Sequence, residues 1–477
     1  MSEMSNKNYS DFLGKHEIFS TISRAADELK VETYVIGGFV RDIILKRPSK
    51  DIDVVCVGSG IELAKKVAEL AGDVPVNVFK NFGTAMVRAG EWEVEFVGAR
   101  RESYSRGSRK PIVEDGTLED DQNRRDFTIN ALAIQLNKAR FGELVDPFDG
   151  MEDMRDMIIR TPLDPVITFS DDPLRMMRAV RFAAQLNFDI EPETYQALTE
   201  NVHRLEIVSQ ERIIDELNKI VLSPTPSYGF KLLFNTGMLE KIFPEMVALY
   251  GVEVRNGKKH KDNFYHTLEV LDNISKRTDD LWLRWAAILH DIAKPATKRF
   301  HPKAGWTFHG HEDLGARMVP KIFRKLKLPM NEKMKFVQKM VRLHLRPIPL
   351  VQDIITDSAL RRLLFDAGED LEALMMLCRA DITSKNGAKV QRYLKNFDIV
   401  EEKLQAVEDR DRIRDFQPPV TGEEIMAFFS IPPCRQVGEI KNAIKDAILE
   451  GKIRNDKAEA TELMIELGRE LGLGPSN

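Results

Sequence analysis

Two carboxylates and two glycines stand close together near the start of the chain. Gly37 and Gly38 follow a short apolar run, and Asp51 and Asp53 open a second apolar run. Residues two apart in a β-strand point to the same side, so a strand that begins at Asp51 would present both carboxylates together. Carboxylate pairs hold hard divalent cations such as Mg²⁺, and a glycine turn lets backbone N–H groups approach a phosphate. The segment therefore predicts phosphoryl or nucleotidyl transfer.

The elements around these residues are predicted to be a strand, a glycine turn, a helix with Arg41 and Asp42, a turn and a second strand. Taken singly, Gly-Gly is usually only a turn, and Asp-x-Asp is more often a solvated strand edge. Their combined order resembles the first motif of the class II tRNA nucleotidyltransferase and bacterial poly(A) polymerase family, within the polymerase-beta-like nucleotidyltransferase superfamily. The resemblance implies that Gly37, Gly38 and Arg41 bind the nucleotide, with Asp42 in support, and that the two carboxylates are catalytic Mg²⁺ ligands.

Residues 91–97 alternate between acidic and apolar types, which is typical of a half-buried strand. Its solvent side would carry Glu91, Glu93 and Glu95, and one of these could stand beside the aspartate strand as a third metal-facing acid. The resemblance to a family strand that ends in an arginine makes Glu95 the best match for a catalytic residue. The alternative is a plainly solvated acidic face.

Residues 100–125 are polar, and they are expected to form an irregular loop of a length that is usually functional or mobile. The first part carries a basic patch suited to phosphates, formed by Arg100, Arg101, Arg106, Arg109 and Lys110. The composition resembles the flexible loop of the family, which is shortened in members that add only cytidines. The full length here implies an enzyme that also adds adenosine.

Residues 124–131 match the second motif of the same family. Arg125 is expected to reach the triphosphate, because a guanidinium offers two donors to phosphate oxygens. Asp126 and Asn130 are expected to support the site through hydrogen bonds, and a helix cap by Asp126 or Thr128 is compatible with that role. Residues 145–150 resemble the third motif, at which the head hinges on the domain that follows.

Asp172 and Arg175 lie one helical turn apart in a stretch that resembles the fourth motif, although Asp171 replaces the usual glutamate. Asp172 would accept a hydrogen bond from the exocyclic amine of cytosine or adenine, and Arg175 would donate to a ring nitrogen or carbonyl. Uracil and guanine place a carbonyl there, so an unmet polar contact would reject them. The structural alternative is that Asp171 or Asp172 caps the helix that follows Pro173.

Two further arginines, Arg178 and Arg181, continue this helix at intervals of three residues. They are expected to bind the nucleotide through its phosphates or to contact another domain, because the helix turns Arg181 away from Asp172. The segment 209–216 resembles the fifth motif, in which Glu211 and Arg212 would brace the selector helix.

A second polar set lies between residues 255 and 400: His266, His290, Asp291, His311, His344 and Asp381. A lone histidine on an apolar helix is more often a satisfied core residue, but this order resembles the HD superfamily of metal-dependent phosphohydrolases. The resemblance implies a primary metal bound by His266, His290, Asp291 and Asp381. His311 and His344 would then bind a second metal or contact a phosphate. Imidazole and carboxylate ligands suit transition metals such as Mn, Ni or Co. His309 is the weak member, since only one of His309 and His311 is needed.

The basic segment 255–261 and the Lys/Arg-rich helices 317–346 lie around this set. They are either solvated helix faces or an RNA-gripping surface, which would show as salt-sensitive binding. Residues 420–474 resemble the C-terminal helical domain of the family, which contacts the outer part of tRNA in relatives. The turn Pro432-Pro433-Cys434 replaces the Gly-rich turn that is common there.

The 477 residues with 43% hydrophobic content are expected to form three or more domains. The predicted fold class is multidomain, with a mixed α/β head followed by all-α domains. We expect a nucleotidyltransferase head at 1–161, a neck for nucleotide selection at 162–225 and a body at 226–254. An HD domain at 255–410 and a helical tail at 411–477 would complete the chain.

Bulk properties exclude some classes of protein. No run approaches the ~20 apolar residues of a membrane span, and the N-terminal residues lack a signal-peptide core. Cys56, Cys378 and Cys434 are widely spaced, so buried thiols in a cytoplasmic enzyme are expected. The net charge of −5 argues against indiscriminate polyanion binding and leaves room for local RNA-binding patches.

The resemblance extends over nearly the full length and implies a template-independent enzyme that adds C, C and A from CTP and ATP to tRNA 3′ ends. Two Mg²⁺ ions in the head would assist the transfer, and the HD domain could add a phosphohydrolase activity. The alternatives are a bacterial poly(A) polymerase and a split-function enzyme that adds only A or only CC. The HD domain and the lack of a basic extension at either end favour CCA addition over poly(A) synthesis.

Overall fold

The computed structural model describes residues 8–80, 83–105, 108–352, 356–384, 386–411, 413 and 419–474, with the side chains of all of these except 102–105, 108–112, 351 and 352. The chain divides into two compact units, Met1–Phe243 and Pro244–Asn477. The finer division into head, neck, body, HD domain and tail remains a prediction. No helix among the described residues is both long and apolar enough to cross a membrane.

A seven-stranded sheet organises the first unit. The strands of this unit are β1 (Thr33–Ile36), β2 (Asp51–Cys56), β3 (Val76–Phe79), β4 (Thr84–Ala89), β5 (Trp92–Gly98), β6 (Arg100–Ser105), β7 (Ser108–Asp115), β8 (Ala133–Gln135), β9 (Leu144–Val145), β10 (Ile158–Ile159) and β11 (Asp189–Ile190). The sheet order is β3-β4-β5-β2-β1-β8-β9, in which β2 and β5 are parallel and the other neighbours are antiparallel. This mixed sheet confirms the expected α/β head.

The helices of the first unit cover the sheet and continue beyond it. They are α1 (Ser10–Leu13), α2 (Glu17–Leu29), α3 (Gly38–Ile44), α4 (Gly60–Leu70), α5 (Leu118–Asn123), α6 (Gly150–Asp156), α7 (Pro165–Asp171), α8 (Leu174–Leu186), α9 (Pro192–Asn201), α10 (Gln210–Val221), α11 (Pro226–Asn235) and α12 (Met238–Ile242). Helix α2 buries Ile22 and Ala26 one turn apart, as its apolar spacing predicts.

The segment expected to be an irregular loop contains an antiparallel hairpin. Strands β6 and β7 pair with Arg100 opposite Asp115, and helix α5 follows with a capping box at Thr117. The expectation of irregular structure was wrong, because backbone pairing between two strands does not require an apolar face. Of the predicted basic patch, Arg106 and the side chains of Arg109 and Lys110 lie outside the described residues.

Helices build most of the second unit: α13 (Pro244–Val247), α14 (Asn263–Ser275), α15 (Leu281–Leu289), α16 (Lys294–Thr297), α17 (His311–Lys325), α18 (Glu332–Leu343), α19 (Pro347–Gln352), α20 (Asp357–Ala367), α21 (Leu371–Ala380), α22 (Gly387–Asp411), α23 (Gly422–Phe429), α24 (Arg435–Glu450) and α25 (Lys457–Glu470). Two short hairpins interrupt them, with strands β12 (Val254–Arg255), β13 (Lys258–Lys259), β14 (Arg299–His301) and β15 (Gly305–Thr307). The predicted predominance of helix after the head is confirmed.

The last three helices pack around their own apolar cluster, in which Ile425, Ile444 and Ala460 are buried. The turn with Cys434 leads into α24 and leaves this thiol exposed, whereas Cys56 and Cys378 are buried. The expectation of three buried thiols was therefore wrong for Cys434, because a turn that begins with two prolines lies outside the helix packing.

Candidate active site and metal centre

The glycine turn after β1 lies against two of the predicted site residues. Gly37 has φ +82°, a backbone conformation that side chains rarely adopt. A Cβ atom there would stand 2.9 Å from Nη1 of Arg125 and 3.6 Å from Oδ2 of Asp53. Gly38 then begins helix α3. The absence of a side chain at Gly37 therefore keeps open the space between the carboxylate and the guanidinium.

The acids of strands β2 and β5 share one side of the sheet. In the parallel register Asp51 is the partner of Glu93, and Asp53 is the partner of Glu95. Asp51, Asp53 and Glu95 are solvent-exposed, and the apolar residues between them are buried, as the period-2 pattern predicts. The pKa of Asp53 is raised by the protein packed around it and by the charges of Glu95 and Asp51, whereas Arg125 opposes the shift.

The exposed carboxylates are more loosely arranged than a closed metal site. Among the described residues, no group of three ligands within 4.8 Å of one another includes Asp51, Asp53 or Glu95. Besides burial, the charges of Glu95 and Asp51 contribute to the raised pKa of Asp53, because like charges on neighbouring strands repel one another. A divalent cation relieves such repulsion, so the donor set fits Mg²⁺ bound together with a substrate that supplies further oxygens.

Asp121 orients Arg125 and was not predicted. Its carboxylate is fully buried and accepts hydrogen bonds from Nε of Arg125 at 3.2 Å and Nη2 of Arg125 at 3.0 Å. It also accepts from Nε of Arg124 at 2.9 Å. These cations lower the pKa of Asp121 despite its burial. The i,i+3 and i,i+4 spacing of Asp121 from the two arginines is the signal that could have revealed it.

A hydrogen-bonded chain joins the first motif to helix α8. Nη1 of Arg41 donates to Oδ1 of Asn130 at 2.8 Å, and Nδ2 of Asn130 donates to Oδ1 of Asp126 at 3.1 Å. The other oxygen of Asp126 accepts from Nε of Arg178 at 2.7 Å. Although burial opposes it, Arg178 and Asn130 lower the pKa of Asp126 to about 2. Asp42 completes the chain with a 2.9 Å ion pair to Arg41.

Phe182 gathers three arginines around one ring. The guanidinium carbons of Arg41, Arg178 and Arg181 lie 4.9, 5.4 and 4.0 Å from its centroid. Arg181 is buried and lies 3.0 Å from Oε2 of Glu216, the last residue of the segment 209–216 that resembles the fifth motif. Burial lowers the pKa of Arg181 to about 10, against the opposing effect of Glu216. This geometry favours the domain-contact alternative for Arg178 and Arg181.

The predicted selector pair lies at the junction of α7 and α8. Oδ1 of Asp172 accepts from the backbone N–H of Leu174 at 3.2 Å, so Asp172 caps the start of α8. Its other oxygen lies 3.5 Å from Nη2 of Arg212, while Glu211 is exposed in the first turn of α10. Nη2 of Arg175 donates to the backbone carbonyl of Arg124. The pair therefore stands next to the segment that carries the triphosphate arginine of the prediction.

All six residues of the predicted HD set converge in the second unit. Two groups have ligand atoms within 4.8 Å of one another, one formed by His266, His290 and Asp381 and the other by Asp291, His311 and His344. Asp291 connects the groups, since its Oδ2 lies 3.2 Å from Nε2 of His290 and its Oδ1 lies 3.2 Å from Nε2 of His311. His309 is exposed and belongs to neither group.

Three imidazoles of this HD cluster are held in one tautomer. Nδ1 of His290, His311 and His344 each donates to a backbone carbonyl one helical turn before it, at 2.7, 2.7 and 2.6 Å. Their Nε2 atoms are buried and have no hydrogen-bond partner among the described residues. Buried polar atoms normally have partners, and a fixed Nδ1–H leaves Nε2 as a lone-pair donor. The cluster therefore fits one or two metal ions.

The carboxylates of the HD cluster are charged, and further residues support them. Although burial opposes it, the surrounding histidines lower the pKa of Asp381 to about 2. Neighbouring Asp291 raises the pKa of His290 to about 8, also against burial, so a metal that binds Nε2 would displace a proton. Lys294 forms an ion pair with Asp291 at 2.5 Å, and Thr383 hydrogen-bonds Nδ1 of His266 at 2.8 Å. Neither Lys294 nor Thr383 was predicted.

Three family models match this chain. The Poly A polymerase head domain matches residues 33–160, and the probable RNA and SrmB-binding site of polymerase A matches residues 187–249. The HD domain model matches residues 263–386. The three matches follow the order of the fold described above.

Curated relatives extend the similarity over most of the chain. The A-adding tRNA nucleotidyltransferase of Deinococcus radiodurans is 31% identical over 430 residues, which cover 88% of this chain and 92% of that protein. The Multifunctional CCA protein of Nitrosococcus oceani is 32% identical over 381 residues, which cover 76% of this chain and 87% of that protein.

Solved structures share the fold. The Bacillus stearothermophilus CCA-adding enzyme in complex with CTP aligns with a TM-score of 0.67 over 97% of this chain and 98% of that chain, at 24% identity. A tRNA nucleotidyltransferase complexed with a primer tRNA and an incoming ATP analog aligns with a TM-score of 0.54 over 80% of this chain and 99% of that chain, at 25% identity.

Proposed function

Because this chain belongs to the family of class II CCA-adding enzymes and poly(A) polymerase heads, and is therefore a tRNA nucleotidyltransferase, we propose that it adds C, C and A from CTP and ATP to tRNA 3′ ends. The observation that carries the proposal is the short distance between the predicted base-selecting residue Arg175 and the predicted catalytic residue Asp53. Arg175 donates to the carbonyl of Arg124, and the adjacent Arg125 lies against Gly37, next to Asp53. This proximity supports one site that holds a base at one end and a triphosphate at the other.

In the proposed reaction the 3′-hydroxyl oxygen of the RNA attacks the α-phosphorus of the nucleotide. The bond from that phosphorus to the bridging oxygen breaks, and pyrophosphate leaves with the bonding electrons, while the hydroxyl proton passes to solvent. Asp51, Asp53 and Glu95 would hold Mg²⁺, which when bound stabilises the charge that develops on the reacting oxygens. The backbone at Gly37 and Gly38 and the guanidinium of Arg125 would bind and orient the triphosphate.

The proposed base selection uses the atoms of Asp172 and Arg175. A base amine would donate to Oδ2 of Asp172, which lies 3.5 Å from Arg212 and is thus only weakly engaged. Arg175 would exchange its bond to a backbone carbonyl for a bond to the base. Cytosine and adenine satisfy both groups, whereas uracil and guanine would leave Asp172 facing a carbonyl.

Addition of A alone is the nearest rival, because the Deinococcus radiodurans relative is an A-adding tRNA nucleotidyltransferase. Poly(A) synthesis is a second rival, since the head model is that of poly A polymerases, and addition of CC alone is a third. A tRNA that ends before the CCA and a tRNA that ends in CC separate these possibilities. Each would be incubated with CTP, with ATP or with both, and the product 3′ ends would be sequenced.

The proposal expects two cytidines and one adenosine on the first tRNA with both nucleotides, and one adenosine on the second with ATP. Addition to the second tRNA alone would identify an A-adding enzyme and overturn the proposal. Long adenosine tails without prior cytidine would identify a poly(A) polymerase. Addition that stops after two cytidines with both nucleotides present would identify a CC-adding enzyme.

The HD cluster favours a second candidate function, metal-dependent hydrolysis of phosphate esters. The observation that favours it is the convergence of three buried imidazole Nε2 atoms, none with a hydrogen-bond partner among the described residues, on Asp291. Residues of this kind would hold Mn, Ni or Co ions. A bound metal of this type supplies a Lewis acid and an activated water.

Chromogenic phosphomonoesters and phosphodiesters provide the test of this second function. The chain would be stripped with a chelator and reloaded separately with Mn²⁺, Ni²⁺ or Co²⁺. Hydrolysis that depends on one of these ions and is lost in His344→Ala is expected. Equal rates with and without reloaded metal would overturn the second function and leave the transferase proposal untouched.

A further inference from the structure

The two short hairpins of the second unit pack against each other. The hairpin surface is defined here as residues 254–261 and 298–308. Nε1 of Trp306 donates to the carbonyl of Lys258 at 3.3 Å, and Nζ of Lys258 donates to the carbonyl of Pro302 at 3.1 Å. A Cβ atom on Gly305 would lie 3.2 Å from Cδ of the Lys258 side chain. Lys258 therefore ties the hairpins into one surface.

Four aromatic rings cross this surface in a continuous row. The ring centroids lie 5.2 Å apart for Phe300 and Trp306, 5.6 Å for Trp306 and His260, and 5.8 Å for His260 and Phe308. All four rings are half-buried, so part of each is accessible. Cations of the protein lie over three of them, Arg255 over Phe300, Lys298 over Trp306 and Lys294 over Phe308, and a bound base would take the place of such a cation.

The same surface carries a high positive charge. Neither range contains Asp or Glu, and the exposed cations include Arg255, Lys259, Arg299 and Lys303. The guanidinium of Arg255 lies 4.8 Å from the centroid of Phe300. Glu253, which adjoins the surface, is already bound to Lys298. The charge is therefore not balanced from within the surface and is complementary to a polyanion.

The hairpin surface contacts the surroundings of the HD cluster at two points. The backbone carbonyl of Phe308 accepts the hydrogen bond from Nδ1 of His311 at 2.7 Å. On the other side, Nζ of Lys261 donates to the carbonyl of Thr383 at 3.1 Å, and Thr383 in turn holds His266. An RNA strand bound along the hairpin surface would thus lie beside the HD cluster.

We propose that the hairpin surface binds single-stranded RNA and guides it towards the HD cluster. Exposed cations would contact successive phosphates, and the rings would stack on bases, which is how proteins hold single strands without reading their sequence. The binding step stands on the hairpin geometry alone. Only the delivery to a reaction centre rests on the proposed hydrolase function.

Binding of a labelled single-stranded oligoribonucleotide of about 12 nucleotides to the full chain tests the proposal. Fluorescence anisotropy would be followed across salt concentrations in the presence of a chelator, so that neither transfer nor hydrolysis affects the reading. The variant carries Arg255→Glu, Lys259→Glu and Arg299→Glu. The matched control carries Lys276→Glu, Lys395→Glu and Lys403→Glu, three exposed cations at the end of α14 and on α22, outside both basic segments.

We expect the hairpin variant to bind at least about tenfold more weakly near 0.1 M salt. Its plot of log affinity against log salt should lose about 2 in slope, because each lost phosphate contact removes about 0.7. The helix control should keep the wild-type affinity and slope. Equal losses in both variants would show that general charge, and not this surface, binds the strand, and would overturn the proposal.

Crosslinking locates the strand independently of affinity. An oligoribonucleotide with 4-thiouridine would be irradiated with the wild-type chain, and crosslinked peptides would be identified by mass spectrometry. Crosslinks within 298–308 are expected, with a several-fold loss in Trp306→Ala and recovery in Trp306→Phe. Crosslinks only outside the hairpin surface, together with unchanged affinity of the triple variant, would refute the proposal. The four rings would then serve only to pack the two hairpins together.

Discussion

The two candidate sites of this chain hold their polar groups in opposite ways. In the HD cluster His290, Asp291 and His344 are buried, and backbone carbonyls fix the two imidazoles before any ion arrives. In the head Asp51 and Asp53 face solvent at the end of a strand. The arginines of the head are already engaged with protein carboxylates and carbonyls.

This difference indicates which ligands of each site are held in place before a metal ion or a substrate binds. Burying several charged and polar groups is costly unless they are paired, so the HD cluster gains most from an ion that stays bound. The exposed carboxylates of the head pay a smaller penalty, and we expect them to be completed by the cations that accompany a nucleotide. We therefore expect the HD cluster to be a standing metal site and the head to assemble its site in each turnover.

The largest expected effect comes from Asp53. Asp53→Asn keeps the size of the side chain but removes the charge beside Glu95, so nucleotide transfer to tRNA should fall by at least about 10³-fold, which corresponds to about 4 kcal/mol in the barrier. Incorporation of labelled CTP under single-turnover conditions measures it. Glu91→Gln, at the exposed acid just before β5, is the matched control and should stay near wild type. Transfer that survives in Asp53→Asn would remove the head from the chemistry.

His290→Ala is expected to weaken metal binding at the HD cluster. Loss of partners around metal ligands alone lowers affinity by about 10–100-fold, so removal of a ligand should cost at least about 100-fold. Metal analysis after dialysis against a weak chelator measures the retained ion. His309→Ala is the control, because His309 is exposed and lies outside both ligand groups. Equal metal retention in both variants would contradict the HD ligand assignment.

Gly37→Ala should lower transfer by about 10–100-fold. The added methyl group would press on Arg125 at 2.9 Å, in a sparsely populated backbone conformation (φ +82°, ψ −136°) that costs a side chain about 1–3 kcal/mol. Steady-state kinetics with CTP measure the loss. Gly90→Ala separates strain from the clash, since Gly90 has φ +62° and no atom lies within 4 Å of the place its methyl group would take. The interpretation fails if both variants lose activity equally.

Asp172→Asn should change the choice of base more than the rate. An amide both donates and accepts, so it tolerates the carbonyl of uracil, and the preference for CTP over UTP should fall about tenfold. Competition between the two nucleotides for the same tRNA measures the ratio. An unchanged ratio combined with a slower rate would mean that Asp172 only caps helix α8.

The smallest effect concerns stability and pH. Asp126 has a pKa of about 2 in the folded chain, below its usual value of 3.8, so its charge contributes stability above about pH 4 that is lost as the pH falls towards 2. The shift corresponds to about 2 kcal/mol. The gap in unfolding temperature between wild type and Asp126→Asn should be constant from pH 5 to 7 and narrow below pH 4. A gap that does not change with pH would contradict the ionised, paired state of Asp126.

The sequence predicted those features that depend on local order. The strand at Asp51–Cys56, the glycine turn at Gly37 and the helix that follows Pro173 were all expected from short patterns, and the structure contains them. The six HD residues also lie together as their order predicted. The position of Glu95 beside Asp53 agrees with the expected third acid, whose catalytic role remains a prediction.

The partners that hold these residues were not predictable in the same way. Thr383 lies far along the chain from His266, and its type is common, so no spacing marks it. The segment 209–216 was expected to brace the selector helix, but no spacing identifies Glu216 as the partner of Arg181. The hairpin of β6 and β7 was missed because its polar composition matches that of a loop. Tertiary contacts and backbone pairing, which leave little trace in a single sequence, decide all of these.

The most direct test of the difference between the two sites crosses the two variants. One preparation each of Asp53→Asn and His290→Ala would be assayed both for CTP transfer to tRNA and for metal retained after dialysis. We predict that Asp53→Asn loses transfer and keeps its metal, whereas His290→Ala loses its metal and keeps transfer. Loss of both properties in either variant would contradict separate sites with separate chemistry.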